Sequence, residues 1–329
     1  IIDTSAGDTS TDRVAVIAKR LIKSCIPVSA AAIVVNLSSF IDLITIPRCL
    51  NFALSSDPGY FTACFSDIIK AQGGAVRLAN FMYGSYTGLS WTMFMLIPSF
   101  TAMFGRSALP QIAGAWTLGN RKEFERKVTV VLRSNFVIGF PLYLGLSAMS
   151  RQILEFLFSG RQQEVSVSAT SLFILGLGGV FLTLSSTFIS IFQVIGRSDL
   201  PVKLMLPGCA VKLIFNVFTI SVPAININGA AVSTVIMYAA VALGGYFALE
   251  NVTGIDFHII RRMAVPLSAG IVCAVVSRIV YGFVGESVNA VAALFLPIAS
   301  GGAVYIILLI IFNEINLKSL LNRQKRKKF

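Results

Sequence analysis

A single histidine, His258, occurs in the 329 residues. Its scarcity argues against zinc sites built on several imidazoles and against histidine-based catalytic triads. Charge is also scarce. Asp, Glu, Lys and Arg make up 13% of the chain, against about 25% in an average soluble domain. The five cysteines, Cys25, Cys49, Cys64, Cys209 and Cys273, stand singly, with no CxxC pair and no metal-ligand spacing. Their odd number and mostly apolar surroundings argue against a disulfide framework and leave them as small core residues. There is no GxSxG, no HExxH, no phosphate loop and no pair of carboxylates within the apolar runs, so nothing points to an enzyme. No stretch sustains the alternation of a β-strand.

Long apolar runs are present instead. Hydrophobic residues reach 55% and the mean hydropathy is +0.79. A water-soluble fold could not cover that much apolar surface with so few charges. Lipid removes the difficulty, because about 20 apolar residues in a helix cross a ~30 Å hydrocarbon core. Only helices and closed barrels satisfy their backbone polar groups there. The expected fold is therefore all-α, a polytopic transmembrane helix bundle. We read about eight spans: 25–47, 88–104 (with a start as early as Phe81), 128–149, 168–195, 203–222, 229–249, 264–284 and 288–312.

The formal net charge of +12 does not make a nucleic-acid binder, because the basic residues lie between apolar runs and form no patch with aromatics. They follow the rule that Lys and Arg stay on the cytoplasmic side. With the N-terminus inside, twenty fall inside and six outside. The inside set is Arg13, Lys19, Arg20, Lys23, Arg106, Arg121, Lys122, Arg126, Lys127, Arg133, Arg197, Lys203, Arg261, Arg262 and six in the tail from Lys318 to Lys328. The outside set is Arg48, Lys70, Arg77, Arg151, Arg161 and Arg278. Both termini are thus expected in the cytoplasm. The organisation expected is a polar lead at 1–20, a six-helix lobe at 21–250, two trailing spans at 251–312 and a basic tail at 313–329. Residues 51–80 read as a long outer loop. Residues 116–133 read as a basic amphipathic helix at the headgroups, and Ile153–Phe158 as an interfacial turn. The polar opening Ile1–Ser10 has no signal-peptide features, and its isoleucine start leads us to expect a piece of a longer protein.

Polar residues inside the spans are costly and therefore informative. Asp42 shares a helix face with Ser38 and Thr45. It could take up a proton, bind Na⁺ or pair with a cation; a packing hydrogen bond or an ion pair with Arg48 would serve equally. Lys212 falls near mid-span with Asn216 one turn on. An unpaired ammonium there costs at least ~2.5–3.5 kcal/mol, so it needs a partner such as Asp42, a wet cavity or an anionic ligand. Thr183, Ser186, Thr187, Ser190 and Gln193 form one helix stripe, which is either a helix–helix seam or a cavity wall. Arg278 lies near an outer end and is expected to snorkel. Pro27, Pro47, Pro98, Pro141, Pro207 and Pro223, with Gly139, Gly145, Gly176, Gly178 and Gly179, mark weak points along the helices.

The ordered motifs resemble those of a known family. SALPQIAGAWTLGNRKEFERKV (Ser107–Val128) is similar to the turn and basic segment of polysaccharide flippases. GFPLYLGL (Gly139–Leu146), ILEFLFSG (Ile153–Gly160), IFQVIGRSDLP (Ile191–Pro201), KLIFN (Lys212–Asn216) and INGAAVST (Ile227–Thr234) follow in the family's order. Together they resemble the C-terminal half of the stage V sporulation protein B group. That group belongs to the multidrug/oligosaccharidyl-lipid/polysaccharide exporter superfamily, with the MurJ-type lipid II flippases and Wzx. Ala113 stands where the family often has Ser, and Val194 where it often has Gly. The resemblance implies the second lobe of a transporter of about fourteen spans, without its N-terminal lobe. It also implies a bacterial plasma membrane, alternating access, a lipid-linked sugar as substrate, membrane lipids as partners, no cofactor, and Na⁺ or H⁺ as a coupling ion of unknown identity. The cavity candidates are Asp42, Arg48, Gln193, Lys212 and Asn216, with Lys212 facing phosphate and Asn216 and Gln193 facing sugar. The alternatives are a cation-coupled drug antiporter of the same superfamily and a non-transporting membrane scaffold for envelope or spore synthesis.

Overall fold

The computed structural model describes residues 14–74, 77–106, 108–284 and 288–312. These residues form helices and no strand. The polar lead up to residue 13 and the basic tail from 313 lie outside the described residues. In chain order the helices are α1 (Val14–Ser56), α2 (Pro58–Gln72), α3 (Leu78–Ser85), a π-helical segment (Tyr86–Trp91), α4 (Thr92–Arg106), α5 (Leu109–Thr117), α6 (Arg121–Ala148), α7 (Ser150–Leu157), α8 (Gln162–Val194), α9 (Asp199–Ile220), α10 (Asn228–Thr253), α11 (Ile259–Val284) and α12 (Ala290–Ile311).

Seven stretches, the last 21 residues of α1 together with α6 and α8 to α12, are long and apolar enough to cross a bilayer. The remaining expected span is a composite. Its residues run without a break from Leu78 to Arg106, but a turn of π-helix divides α3 from α4. The rod is pinned there by reciprocal bonds to α8. The Ser90 hydroxyl donates to the Ser168 carbonyl at 2.8 Å, and the Ser168 hydroxyl donates to the Ser85 carbonyl at 2.9 Å.

Two expectations are corrected. Residues 51–80 are not a loop, because α1 continues to Ser56 and α2 fills most of the remainder. The Asp57 carboxylate caps α2 by accepting from the Tyr60 N–H at 3.0 Å, and Pro58 opens the first turn, which is a standard helix start. Residues 116–133 are not one amphipathic helix either. Helix α5 stops at Thr117, Gly119 turns the chain with φ +66°, and Asn120 caps α6 by accepting from the Glu123 N–H at 3.1 Å. The basic residues from Arg121 to Lys127 are thus the opening turns of a 28-residue span. Ile153–Phe158 falls almost wholly within the short helix α7.

Helix α8 is the hub and the most buried of the seven stretches. It packs on α6 and α10, and also touches α7, the π-helical segment and α4. Two adjacent glycines allow this. A Cβ on Gly179 would lie 2.1 Å from the Tyr143 ring on α6, and one on Gly178 would lie 2.2 Å from the Val235 side chain on α10. Close backbone approach is how membrane helices gain packing where lipid is as apolar as leucine. These glycines sit within an unbroken helix, and α4, α6 and α9 likewise run through Pro98, Pro141 and Pro207. Helices α11 and α12 pack on each other, and α11 also lies on α6.

Successive spans alternate in direction, so the starts of α6, α9 and α11 gather at one end of the bundle. Contacts between the Phe124 and Phe257 rings, 6.4 Å apart, join the α6 start to the α10–α11 turn. Arg121, Lys122, Arg197, Lys203, Arg261 and Arg262 therefore share that end. Arg151 and Arg278 share the opposite one, where they line a common cavity.

Candidate functional site

Ser38, Asp42 and Thr45 recur every third or fourth residue along α1, and Lys212 and Asn216 are one turn apart on α9. Each set forms one helix face. The two faces meet, burying Asp42 to 6% and Lys212 and Asn216 to 0% exposure. The Lys212 ammonium donates to Asp42 Oδ2 at 2.6 Å and to Ser38 Oγ at 2.9 Å. Asn216 Nδ2 donates to Asp42 Oδ1 at 3.0 Å and to Thr45 Oγ1 at 2.9 Å. The Ser233 hydroxyl on α10 donates to Asn216 Oδ1. The Trp91 ring, from the π-helical segment, lies with its centroid 5.6 Å from the Lys212 nitrogen, a cation–π distance.

Every charge in this cluster is matched. Two N–H groups of the ammonium meet oxygens and the aromatic face takes up further positive potential. The carboxylate accepts on both oxygens. A buried pair of this kind contributes little net stability over an apolar substitute, but loss of one partner is severe. Its chemical capacity is to join α1, α9, α10 and the π-helical segment through one polar node, and to exchange partners when a competing ion arrives. In the described conformation the node is closed to solvent.

The other two sequence candidates stand apart. Arg48 is exposed on α1, six residues past Asp42 and about 120° around the helix. Gln193 is exposed near the end of α8, just ahead of Gly196, which takes φ +79° and so supplies the left-handed turn that ends the helix. Along the rest of the stripe, Thr183, Ser186, Thr187 and Ser190 donate to carbonyls of their own helix. Thr187 also accepts from Asn135 Nδ2 on α6 at 2.8 Å. The sequence reading missed Ser233 and Trp91. Ser233 lies within INGAAVST, where a hydroxyl in a span is the available signal. Trp91 carries none, because nothing local ties its ring to a lysine 121 positions later.

The fold and this charged interior define a multi-pass α-helical membrane protein. No protein-family model matches the chain. Among curated proteins it is similar to the lipid II flippase MurJ of Bacillus subtilis, with 22% identity over 243 residues, covering 71% of this chain and 44% of that protein. It is also similar to an uncharacterized membrane protein of Methanocaldococcus jannaschii, with 28% identity over 153 residues, covering 46% of this chain and 29% of that protein. The chain thus spans less than half the length of either relative.

Proposed function

We propose that this chain is one lobe of a bacterial plasma-membrane flippase that moves a lipid-linked oligosaccharide by alternating access. The observation that carries the reading is the similarity to a lipid II flippase over 71% of the chain. In this reading α1 to α10 form the lobe and α11 and α12 trail it. A companion lobe encloses the cavity from the other side, and both termini face the cytoplasm. The stage V sporulation protein B group remains the subgroup whose motifs it resembles.

The buried node fits such a cycle. A headgroup of diphosphate and sugar needs a hydrated, cationic cavity, while its lipid tail stays in the bilayer. Lys212 supplies the cation, and Asp42 holds it when no substrate is present. Arrival of the diphosphate draws the ammonium from Asp42, which loosens α1 from α9 and couples occupancy to helix movement. Arg48, Gln193 and Asn216 serve as the remaining cavity contacts, with the amides bonding sugar. A drug antiporter selecting cations would leave carboxylates free inside the bundle. Here the carboxylate of the cluster is engaged by Lys212 at 2.6 Å and so is not free to select a cation.

The test is complementation of cells depleted of their lipid II flippase by the complete protein that carries this chain, scored for growth and for translocated precursor. Rescue by the intact protein and none by Lys212→Ala at equal membrane abundance is expected. Failure of the intact protein, with active efflux of cationic dyes, would discard the oligosaccharide reading. Full rescue by Lys212→Ala would discard the role of Lys212.

A further inference from the structure

At the end of the bundle remote from the basic helix starts, a cavity of about 540 Å³ opens between α6, α7, α8 and α11. Its volume falls within the ~300–1,000 Å³ typical of ligand sites. One part is apolar, lined by Phe173, Leu177 and Val275; another presents Arg151, Gln152 and Arg278. We propose that this cavity holds an anionic glycerophospholipid of the surrounding bilayer, its phosphate between the two arginines and an acyl chain along the apolar wall. Such an occupant is independent of what the protein transports.

Two observations select that occupant. The charge is complementary: Arg278 has no ion-pair or hydrogen-bond partner among the described residues. Among the described residues Arg151 pairs with Glu155 alone, at 2.8 Å on an exposed helix face. Such a pair contributes little and yields readily to a phosphate. A phospholipid with no cation in its headgroup, such as phosphatidylglycerol, brings the two arginines one uncompensated phosphate charge. Second, the apolar wall is continuous with the lipid-facing side chains of α11, since Ile271 and Val275 both line the cavity and are exposed. A chain can enter from the bilayer without crossing water.

The complete protein, purified in detergent and stripped of lipid, is titrated with phosphatidylglycerol or phosphatidylcholine of identical chains. Bound lipid is counted by native mass spectrometry. Each arginine adds about fivefold in affinity for a headgroup of net negative charge, a gain that the choline cation cancels in phosphatidylcholine, so a preference for phosphatidylglycerol of about tenfold or more is expected. Arg278→Gln should reduce it about fivefold. Arg278→Lys should retain most of it, and Arg161→Gln, outside the cavity at the same end, should leave it unchanged. Equal binding of the two lipids would overturn the proposal, as would equal losses in Arg278→Gln and Arg161→Gln. Displacement by soluble glycerol phosphate at matched concentration would reassign the cavity to small phosphates. Displacement by a polyprenyl diphosphate saccharide at lower concentration than phosphatidylglycerol would reassign it to the carried lipid. Both of those outcomes also overturn it. A thermal unfolding scan of each variant separates loss of the site from loss of the fold.

Discussion

Replacing Lys212 with methionine keeps the length of the side chain and removes its charge. Asp42 is then left 6% exposed with one remaining donor, the Asn216 amide at 3.0 Å. Water cannot reach the vacated oxygen without parting α1 from α9, so the carboxylate stays desolvated and unmatched. Breaking a buried pair in this way costs about 3–5 kcal/mol. Replacing both residues, Asp42→Asn with Lys212→Met, leaves an acceptor for Asn216 and no buried charge. The double variant should lie within ~1–2 kcal/mol of the parent. Asp42→Asn alone strands the ammonium at a similar cost, so the coupling between the two sites is at least ~4 kcal/mol, well above the ~0.5 kcal/mol scatter of independent sites. Trp91, beside the ammonium, provides the readout. The sequence has two tryptophans, so Trp116→Phe leaves Trp91 as the sole fluorophore for denaturant titrations in detergent. Additive costs, with the double variant as unstable as the sum of the singles, would refute the reasoning that this pair is the node of the fold.

Other outcomes follow from the same geometry. Gly179→Ala, whose new methyl meets the Tyr143 ring at 2.1 Å, should destabilise the bundle by about 1–3 kcal/mol. Gly145→Ala, with nothing within 4 Å, should be neutral or stabilising by up to ~1 kcal/mol; detergent unfolding compares the two. Thr187→Val removes the 2.8 Å bond from Asn135 and should cost about 0.6–1.7 kcal/mol. Because Arg48 and Gln193 are exposed, Arg48→Ala and Gln193→Ala should shift stability by less than ~0.5 kcal/mol, so any loss of transport in those variants would reflect contact with substrate.

The helical class and the spans are legible because hydropathy acts over ~20 residues at once, and no tertiary detail overrides it. Sequence reading fails where polarity stands in for absence of structure. The segment from Asp57 to Gln72 is mixed in polarity, yet its Asp-Pro start is a local helix signal that outranks composition. The basic cluster of Arg121, Lys122, Arg126 and Lys127 misleads in a similar way. It suggests a separate surface helix, but a spanning helix can carry its charges on the turns that leave the lipid, as α6 does. Within the site, Asp42, Lys212 and Asn216 are found through the cost of placing them in lipid. Their partnership is not, because it joins residues 170 positions apart, and nothing in either segment favours Lys212 over Arg48 as the carboxylate's partner. Only the packing of α1 on α9 decides it.

The π-helical segment between α3 and α4 carries a further consequence. Such a turn is an α-helix with one surplus residue, and each residue sets the phase of everything beyond it by about 100°. Rewinding Tyr86–Trp91 as plain α-helix with no residue removed would rotate α4 against α3 by that angle, whereas deleting one residue would leave their relative phase unchanged. On rewinding, Phe94 would swing away from its ring contact with Tyr143, now 5.3 Å between centroids, and a lipid-facing side chain would turn inward in its place. The winding of this rod, and not only the kind of its residues, is therefore part of what specifies the bundle.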